Sequence, residues 1–354
     1  MKVLDQYVAR TVIGGTLMAL LVLGALLAFV DFVSEIGDVG KGQYGILEAI
    51  AYVILSLPKR LYDLFPTAVL LGSLLSLGAL AGNSELIVMR AAGVSIARIV
   101  RSVLQAGVVL VILVLLVGEL MVPPSERKAQ TVRAAALKQN ISLGAQHGFW
   151  VKDGARVMRV GRVYPDMQLG NLEIYQLDEE KKIAQVYFVK SARYLGNKWQ
   201  LRNVDHSRIN ETGVSSTFMD YLEWTELFNP DLFNVVSVQP GNMSAIDLYK
   251  YSNYLADNQL DDSSYRLAFW IKVITPLSTL VMLIIALPFV FSSQRTGSSG
   301  SRVLLGLLLG IGFFILNRTM NHMGQVYGLH PLLSAAFPVV MVAILGGLSL
   351  KRIH

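Results

Sequence analysis

Cysteine is absent from all 354 residues, so nothing in the chain depends on a disulfide or a thiolate metal site. Charge is scarce too. Asp, Glu, Lys and Arg make up 16% of the residues against 53% hydrophobic, with a mean hydropathy of +0.49. A composition this apolar excludes an ordinary soluble enzyme and places the chain among membrane proteins. No G-x-x-x-x-G-K-[ST] phosphate loop, H-E-x-x-H zinc motif or G-x-S-x-G nucleophile elbow occurs, and the nearest glycine/serine cluster, at 297–302, lacks the lysine. The five histidines, at 147, 206, 322, 330 and 354, are scattered, and Asp205 and His206 are neighbours on a predicted strand, so they point to opposite faces. The expectation is therefore a protein that is not an enzyme, with no catalytic residues, no cofactor, no metal and no nucleic-acid partner.

What the sequence has instead is long uncharged runs. Thr11–Val30, Leu64–Ser84, Ser102–Gly118, Val273–Gln294, Val303–Asn317 and Pro331–Leu350 approach or reach the roughly 20 residues needed to cross a bilayer. They predict six transmembrane helices, three before a long polar insertion and three after it. The stretch Ile46–Leu57, closed by "PKR", is too short to span and reads as an interfacial or re-entrant segment. Lys2, Arg10, Arg90, Arg98, Arg101, Arg295, Arg302, Lys351 and Arg352 gather on one side, which predicts that this side, with both termini, is cytoplasmic. The opposite loop after the first span carries Asp31, Glu35 and Asp38 against Lys41.

The domains read as 1–122, holding the first three spans; 123–265, an all-β domain outside the cytoplasm; and 266–354, holding the last three spans. "FWVKDGARVMRVGRV", "NLEIYQLD", "KKIAQVYFVKSARYLG", "KWQLRNVDHSRIN" and "GVSSTFMDYLEW" have the alternation of strands, with "LDEEKK" and "LGNKW" as hairpin turns. A sandwich, jelly roll or open barrel fits them. A linker-like Phe228–Met243 follows, then an amphipathic helix over 244–259 with Ser244 as its cap. "SSQRTGSSGSR" reads as a flexible cytoplasmic loop.

Between the second and third runs lies "GNSELIVMRAAGVSIARIVRS". Ser84 is placed to cap a short helix over 84–93, with Glu85 at its positive end and Gly93 closing it. So short a helix persists only if its Leu86, Met89 and Ala92 face packs on something.

"LDQYV" at Leu4–Val8, "FPTAVLLGSLLSLGALAGNSELIVMRAAGVS" at Phe65–Ser95, "GFWVKDG" at Gly148–Gly154 and "FWIKVITPLSTLVMLIIALPFVF" at Phe269–Phe291 resemble the LptF/LptG family of lipopolysaccharide-export permeases. The resemblance spans essentially the whole chain, and "LDQYV" and "FWVKDG" favour the LptG-type branch. It implies an α-helical membrane protein of 3+3 helices with an inserted jelly-roll-like periplasmic domain. It implies that Glu85, Leu86, Met89, Arg90 and Gly93 form a coupling helix docked in a groove of a cytoplasmic ATPase. The partners implied are a second homologous permease of the LptF type, an ABC ATPase dimer of the LptB type that binds the ATP, and a single-span periplasmic bridge protein of the LptC type. The substrate implied is lipopolysaccharide, taken from the inner membrane toward the outer one.

A phosphorylated glycolipid calls for cations near the outer membrane surface. Lys41, Lys59, Arg60, Arg127, Lys128, Arg133, Arg266 and Arg318 are candidates, with Lys41, Arg127, Lys128, Arg133 and Arg318 foremost; interfacial anchoring is the plain alternative for each. Arg133 matches a basic family position. Ala28 stands where family members often carry lysine before "FVD", a departure that Lys41 partly offsets. Prolines in "VPPSE" are expected to stop the third helix at the outer surface. Two other readings stay open: a membrane enzyme acting on envelope lipid or glycan, and a mechanotransmission permease, whose large outside domain usually follows the first helix rather than the third.

Overall fold

The computed structural model describes residues 3–351 apart from 138–148, 154, 165–167, 179–181, 197, 211–212, 226–238, 259 and 293–298. His147, Lys2, Arg295, Arg352, His354 and most of the Phe228–Met243 linker and of the 292–302 loop therefore lie outside the described residues.

Helices α1 (Val3–Ile36) and α2 (Ile46–Gly82) form an antiparallel pair with the most extensive contact among the helices. Their backbones meet where Gly15 lies against Gly72: a Cβ added at Gly15 would sit 2.7 Å from the Gly72 carbonyl oxygen. Neither position has room for a side chain. A two-residue turn leads to α3 (Glu85–Ala91), and α4 (Ile96–Leu116) runs back across the apolar layer. Its last turn opens into a π-helical segment, Val117–Met121, and the chain continues as α5 (Val122–Ala136). After the β domain come α6 (Ala245–Asp257), α7 (Ser263–Ser292), α8 (Ser299–Tyr327) and α9 (Pro331–Lys351).

Five helical stretches among the described residues are long and apolar enough to span a membrane: Val3–Ile36, Ile46–Gly82, Ile96–Ala136, Ser263–Val290 and Pro331–Ser349. Helix α8, 29 residues long and packed on α2 and α9, has the length for a sixth, so the expected six is matched only roughly. One core joins Val12, Phe65, Leu70, Leu86, Ile99, Leu110, Leu283 and Phe313, while Leu21, Ile54, Ile112, Ile315 and Ile344 remain exposed on the outer faces.

Two expectations fail here. Ile46–Leu57 is not a separate interfacial segment, because α2 runs unbroken through Pro58 and Pro66 to Gly82. The charges that seemed to close it are neutralised on the helix: Lys59 pairs with Asp63 at 2.7 Å, and Arg60 with Asp31 of α1 at 2.7 Å. Nor do Pro123 and Pro124 stop the third helix. They occupy the first turn of α5, where a missing N–H costs little once the π segment has shifted the hydrogen-bond frame.

The inserted domain is a six-stranded antiparallel sheet in the order β1 (Phe149–Asp153), β2 (Arg156–Tyr164), β3 (Gln168–Leu177), β4 (Ile183–Tyr194), β5 (Trp199–Asn210), β6 (Gly213–Trp224). Each strand pairs only with its chain neighbours; a second sheet, which a full jelly roll has, is not among the described residues. Met158, Val160, Leu172, Ile174, Val189, Val204, Trp199 and Leu201 fill its core.

Alternation breaks along one cross-strand row. Leu169 and Leu172, Val189 and Ala192, and Leu201 and Val204 all reach the same core although each pair is three residues apart. Two consecutive residues, Lys190 and Ser191 on β4 and Arg202 and Asn203 on β5, therefore face away from it. The row runs Gly161, Asn171, Lys190, Asn203, Asp220, and from β2 to β6 the ladder skips the pair at it and resumes in unchanged register. Asn171 and Asn203 adopt φ of 53° and 50°, the left-handed region that asparagine tolerates better than most residues.

Candidate functional site

Three polar clusters stand out on this apolar frame. The first joins the turn between α1 and α2 to α5. Arg133 donates to Glu35 at 3.0 Å and to Asp38 at 2.5 Å, and its guanidinium lies over the Tyr52 ring, 5.5 Å from the centroid. Lys41 reaches Asp38 at 2.6 Å, and Tyr44 donates to Glu35 at 2.8 Å. Two cations face two acids, so the knot is close to neutral. The Lys41 hydrogen bond, helped by the charges of Lys41 and Arg133, outweighs burial and holds Asp38 below the usual carboxylate range. Burial first, then the hydrogen bond to Glu35, pushes the Tyr44 hydroxyl far above its ordinary value.

The second cluster sits at the π segment. Lys272 of α7, 6% exposed, donates to the Gly118 carbonyl at 2.9 Å and to Glu119 at 3.2 Å. Glu119 also accepts the Ala245 N–H at 2.9 Å, so one carboxylate holds both a buried lysine and the N-terminus of α6. The π segment supplies the geometry, because its wider turn directs the Gly118 carbonyl sideways to Lys272. Ser244 caps the same helix through the Asp247 N–H at 3.0 Å, and Arg127 pairs with Asp247 at 3.6 Å.

At the opposite end of the helices lies α3. Gly93 has φ of +86°, and the Gly93 and Val94 N–H groups bond back to the Arg90 and Met89 carbonyls, which closes the helix in the Schellman manner. Ser84 does not cap it: the residue is left-handed (φ 61°) and its side chain makes no cap hydrogen bond, because the chain must reverse within two residues of α2. Leu86 is fully buried and Met89 packs on the same core, whereas Ala92 is exposed. Glu85 accepts a hydrogen bond from the Tyr7 hydroxyl at 2.8 Å, while Asp5 receives Ser102 at 2.9 Å and Arg98 at 3.3 Å. The helix thus spends its predicted docking residues Glu85, Leu86 and Met89 on its own chain. What it presents outward is Ile87, 50% exposed, Val88, 65% exposed, and Arg90.

The structure gathers Lys41 and Arg133 at one site and sets Arg127 beside the second cluster. Lys128 and Arg318 are exposed and make no ion pair with any described residue; Lys59, Arg60 and Arg266 are committed to Asp63, Asp31 and Asp262. His206 stacks on Tyr187 with centroids 4.3 Å apart and meets Gln185 at 3.0 Å, a packing arrangement. Sequence reasoning missed Lys272, Glu35 and Asp38 as site residues. Lys272 had a signal: an isolated lysine opening an apolar run of span length demands a partner.

Residues 6–352 match the family described as lipopolysaccharide export system permease LptF/LptG. The chain is 33% identical to the lipopolysaccharide export system permease protein LptG of Haemophilus influenzae, over 97% of this chain and 96% of that protein. It is 34% identical to the LptG protein of Escherichia coli K12, over 95% of this chain and 94% of that one. A match that runs through both helical halves and the inserted sheet, at this identity, leaves no segment of the fold unaccounted for: the chain belongs to the LptF/LptG family of lipopolysaccharide export system permeases, on its LptG-type side.

Proposed function

We propose that this chain is one permease subunit of an ATP-driven complex that lifts lipopolysaccharide out of the inner membrane and hands it outward. The observation that carries the reading is the end-to-end match to export permeases of that name, on a multi-pass fold with a β domain between two helical halves. ATP is bound and hydrolysed by a separate cytoplasmic ATPase dimer. A second, homologous permease and a single-span bridge protein complete the assembly. Both termini and α3 face the cytoplasm, and the sheet faces the periplasm.

Coupling starts at α3. Its outward Ile87, Val88 and Arg90 offer an apolar patch with one charge to a partner groove, while Leu86 and the Tyr7–Glu85 bond fasten it to α1 and the core. Because α3 is joined to α2 and α4 by short turns, a push on that patch reaches both helices. At the outer surface, the Arg133 knot is the receiver for lipid phosphate. A phosphate group there competes with Asp38 and Glu35 for Arg133 and Lys41, and the two-pronged guanidinium grips it bidentately. Exposed Lys128 and Arg318 supply further positive charge.

Reconstitution decides it. The chain is copurified in mild detergent, and ATP-driven release of lipopolysaccharide from proteoliposomes is followed. The expected result is copurification of an ABC-type ATPase and a second permease, with release abolished by Val88→Asp. Release without nucleotide, or no ATPase partner, would overturn the reading.

A further inference from the structure

The outward row Asn171, Lys190, Asn203, Asp220 crosses four adjacent strands and, with Gln168, Ser191 and Arg202, lines a depression of about 570 Å³ on the sheet's outer face. Its walls hold three side-chain amides, a hydroxyl, two cations and one acid, and no large apolar side chain. Acyl chains have nothing to bury there. Among the described residues Lys190 and Asp220 make no ion pair, and Arg202 donates to Gln200 at 3.4 Å. Arg193 donates to Gln168 at 3.2 Å on the rim.

The backbone gives up regular pairing to make this surface. At the row, two asparagines take the left-handed conformation, and β4, β5 and β6 each turn two successive residues away from the core. Gly161 ends the row because a Cβ there would meet the Asn171 carbonyl oxygen at 2.9 Å. The register is the same on both sides of the row, so no residue is inserted, and the left-handed residues re-aim the side chains beside them. This re-aiming doubles the density of polar groups along one line. Backbone outliers of this kind concentrate at ligand sites.

We infer that this crease is a binding site for a phosphorylated oligosaccharide, with Lys190 and Arg202 on the phosphate and Asn171, Asn203 and Asp220 on sugar hydroxyls. Amides offer both donors and acceptors, as sugar hydroxyls require, and an arginine meets phosphate in the plane of its fork. The inference rests on the export reading, in which the cargo is a lipid whose head is such a saccharide. It separates the two ends of that cargo: acyl chains go elsewhere, and the polar head travels along the outer face of the sheet.

The test is an equilibrium titration of the detergent-purified complex with fluorescently labelled, deacylated lipopolysaccharide backbone. Wild-type protein is expected to bind it, and to bind the enzymatically dephosphorylated backbone about tenfold more weakly. Lys190→Gln with Arg202→Gln should weaken the phosphorylated probe about tenfold and leave the dephosphorylated one unchanged, whereas Asp220→Asn should tighten the phosphorylated probe about threefold. Lys190→Arg, which keeps the charge, should bind as wild type does, and thermal midpoints of all variants show whether the sheet has folded. Failure of wild type to bind the backbone, equal affinity for glucose 6-phosphate, or a double variant within about twofold of wild type with an unchanged midpoint would each overturn the assignment. ATP-driven release of intact lipopolysaccharide is measured on the same preparation. If release proceeds while the probe does not bind, the crease fails alone; if wild type releases nothing, the export reading fails with it.

Discussion

Removing Glu119 should harm the protein more than removing Lys272, although the two form one ion pair. Lys272 is 6% exposed, and among the described residues its ammonium has the Gly118 carbonyl and the Glu119 carboxylate as acceptors. Glu119 is 31% exposed and keeps the Ala245 N–H as a donor. Glu119→Ala therefore strands a buried cation with one neutral acceptor, a defect that costs about 3–5 kcal/mol. It also takes the acceptor from the Ala245 N–H at the start of α6, which Ser244 still caps, and that adds up to about 1 kcal/mol. Lys272→Met fills the same space without charge and leaves a carboxylate that water and a helix N-terminus still stabilise, at about 1–2 kcal/mol. The double variant Glu119→Ala/Lys272→Met should recover much of the loss, with a coupling energy of about 2 kcal/mol. Denaturant unfolding in mixed micelles, followed by far-ultraviolet circular dichroism, measures all four corners of the cycle. If Glu119→Ala lies within about 0.5 kcal/mol of wild type, or Lys272→Met is the costlier change, then Lys272 reaches water and the packing argument is wrong.

Gly72→Leu should prevent assembly, because any Cβ at Gly72 runs into the α1 backbone at Gly15 and Thr16; loss of the folded fraction on fluorescence-detected gel filtration checks it, with Gly14→Ala, where a Cβ meets nothing, as the tolerated control. Gly93→Ala should destabilise α3 by about 1 kcal/mol through its +86° φ, read as faster amide exchange over residues 85–92, and Gly93→Asn should lose less. The Arg133 knot should be insensitive to pH from about 8 down to about 5. Asp38 is held below its ordinary carboxylate value, so its contribution is present above that value and is lost only as pH falls through the depressed one, which carbon-detected NMR of labelled Asp38 follows; loss of the pair near pH 6 would contradict it.

The helical frame was legible because uncharged runs of span length have few other uses. Its continuations were not. Pro58, Lys59 and Arg60 read as the end of a hydrophobic stretch, since nothing local to them announces that Asp31, on another helix, neutralises Arg60. Two prolines after an apolar run read as a stop, and the π segment that admits them has no sequence signature of its own. Arg133 was visible as a cation at the right depth, yet Glu35 and Asp38 counted only as loop charge, and their approach is tertiary. In the β domain the strands and hairpins followed from alternation, whereas the outward row depends on asparagines at positive φ, and an asparagine inside a strand-like run looks the same from sequence in either conformation.

The joint at Glu119 bears on how the inserted domain relates to the rest. The chain leaving at the π segment and α5 is tied to the start of the returning α6 by the Glu119–Ala245 and Arg127–Asp247 contacts. Everything between them is a closed loop of polypeptide whose ends are fixed whatever it contains, and the entropy of closing such a loop grows only logarithmically with its length. The sheet is then a cassette. A domain of different size or origin, grafted between residues 137 and 244, would meet the same two anchored ends, and its exchange between relatives would leave the helical frame undisturbed.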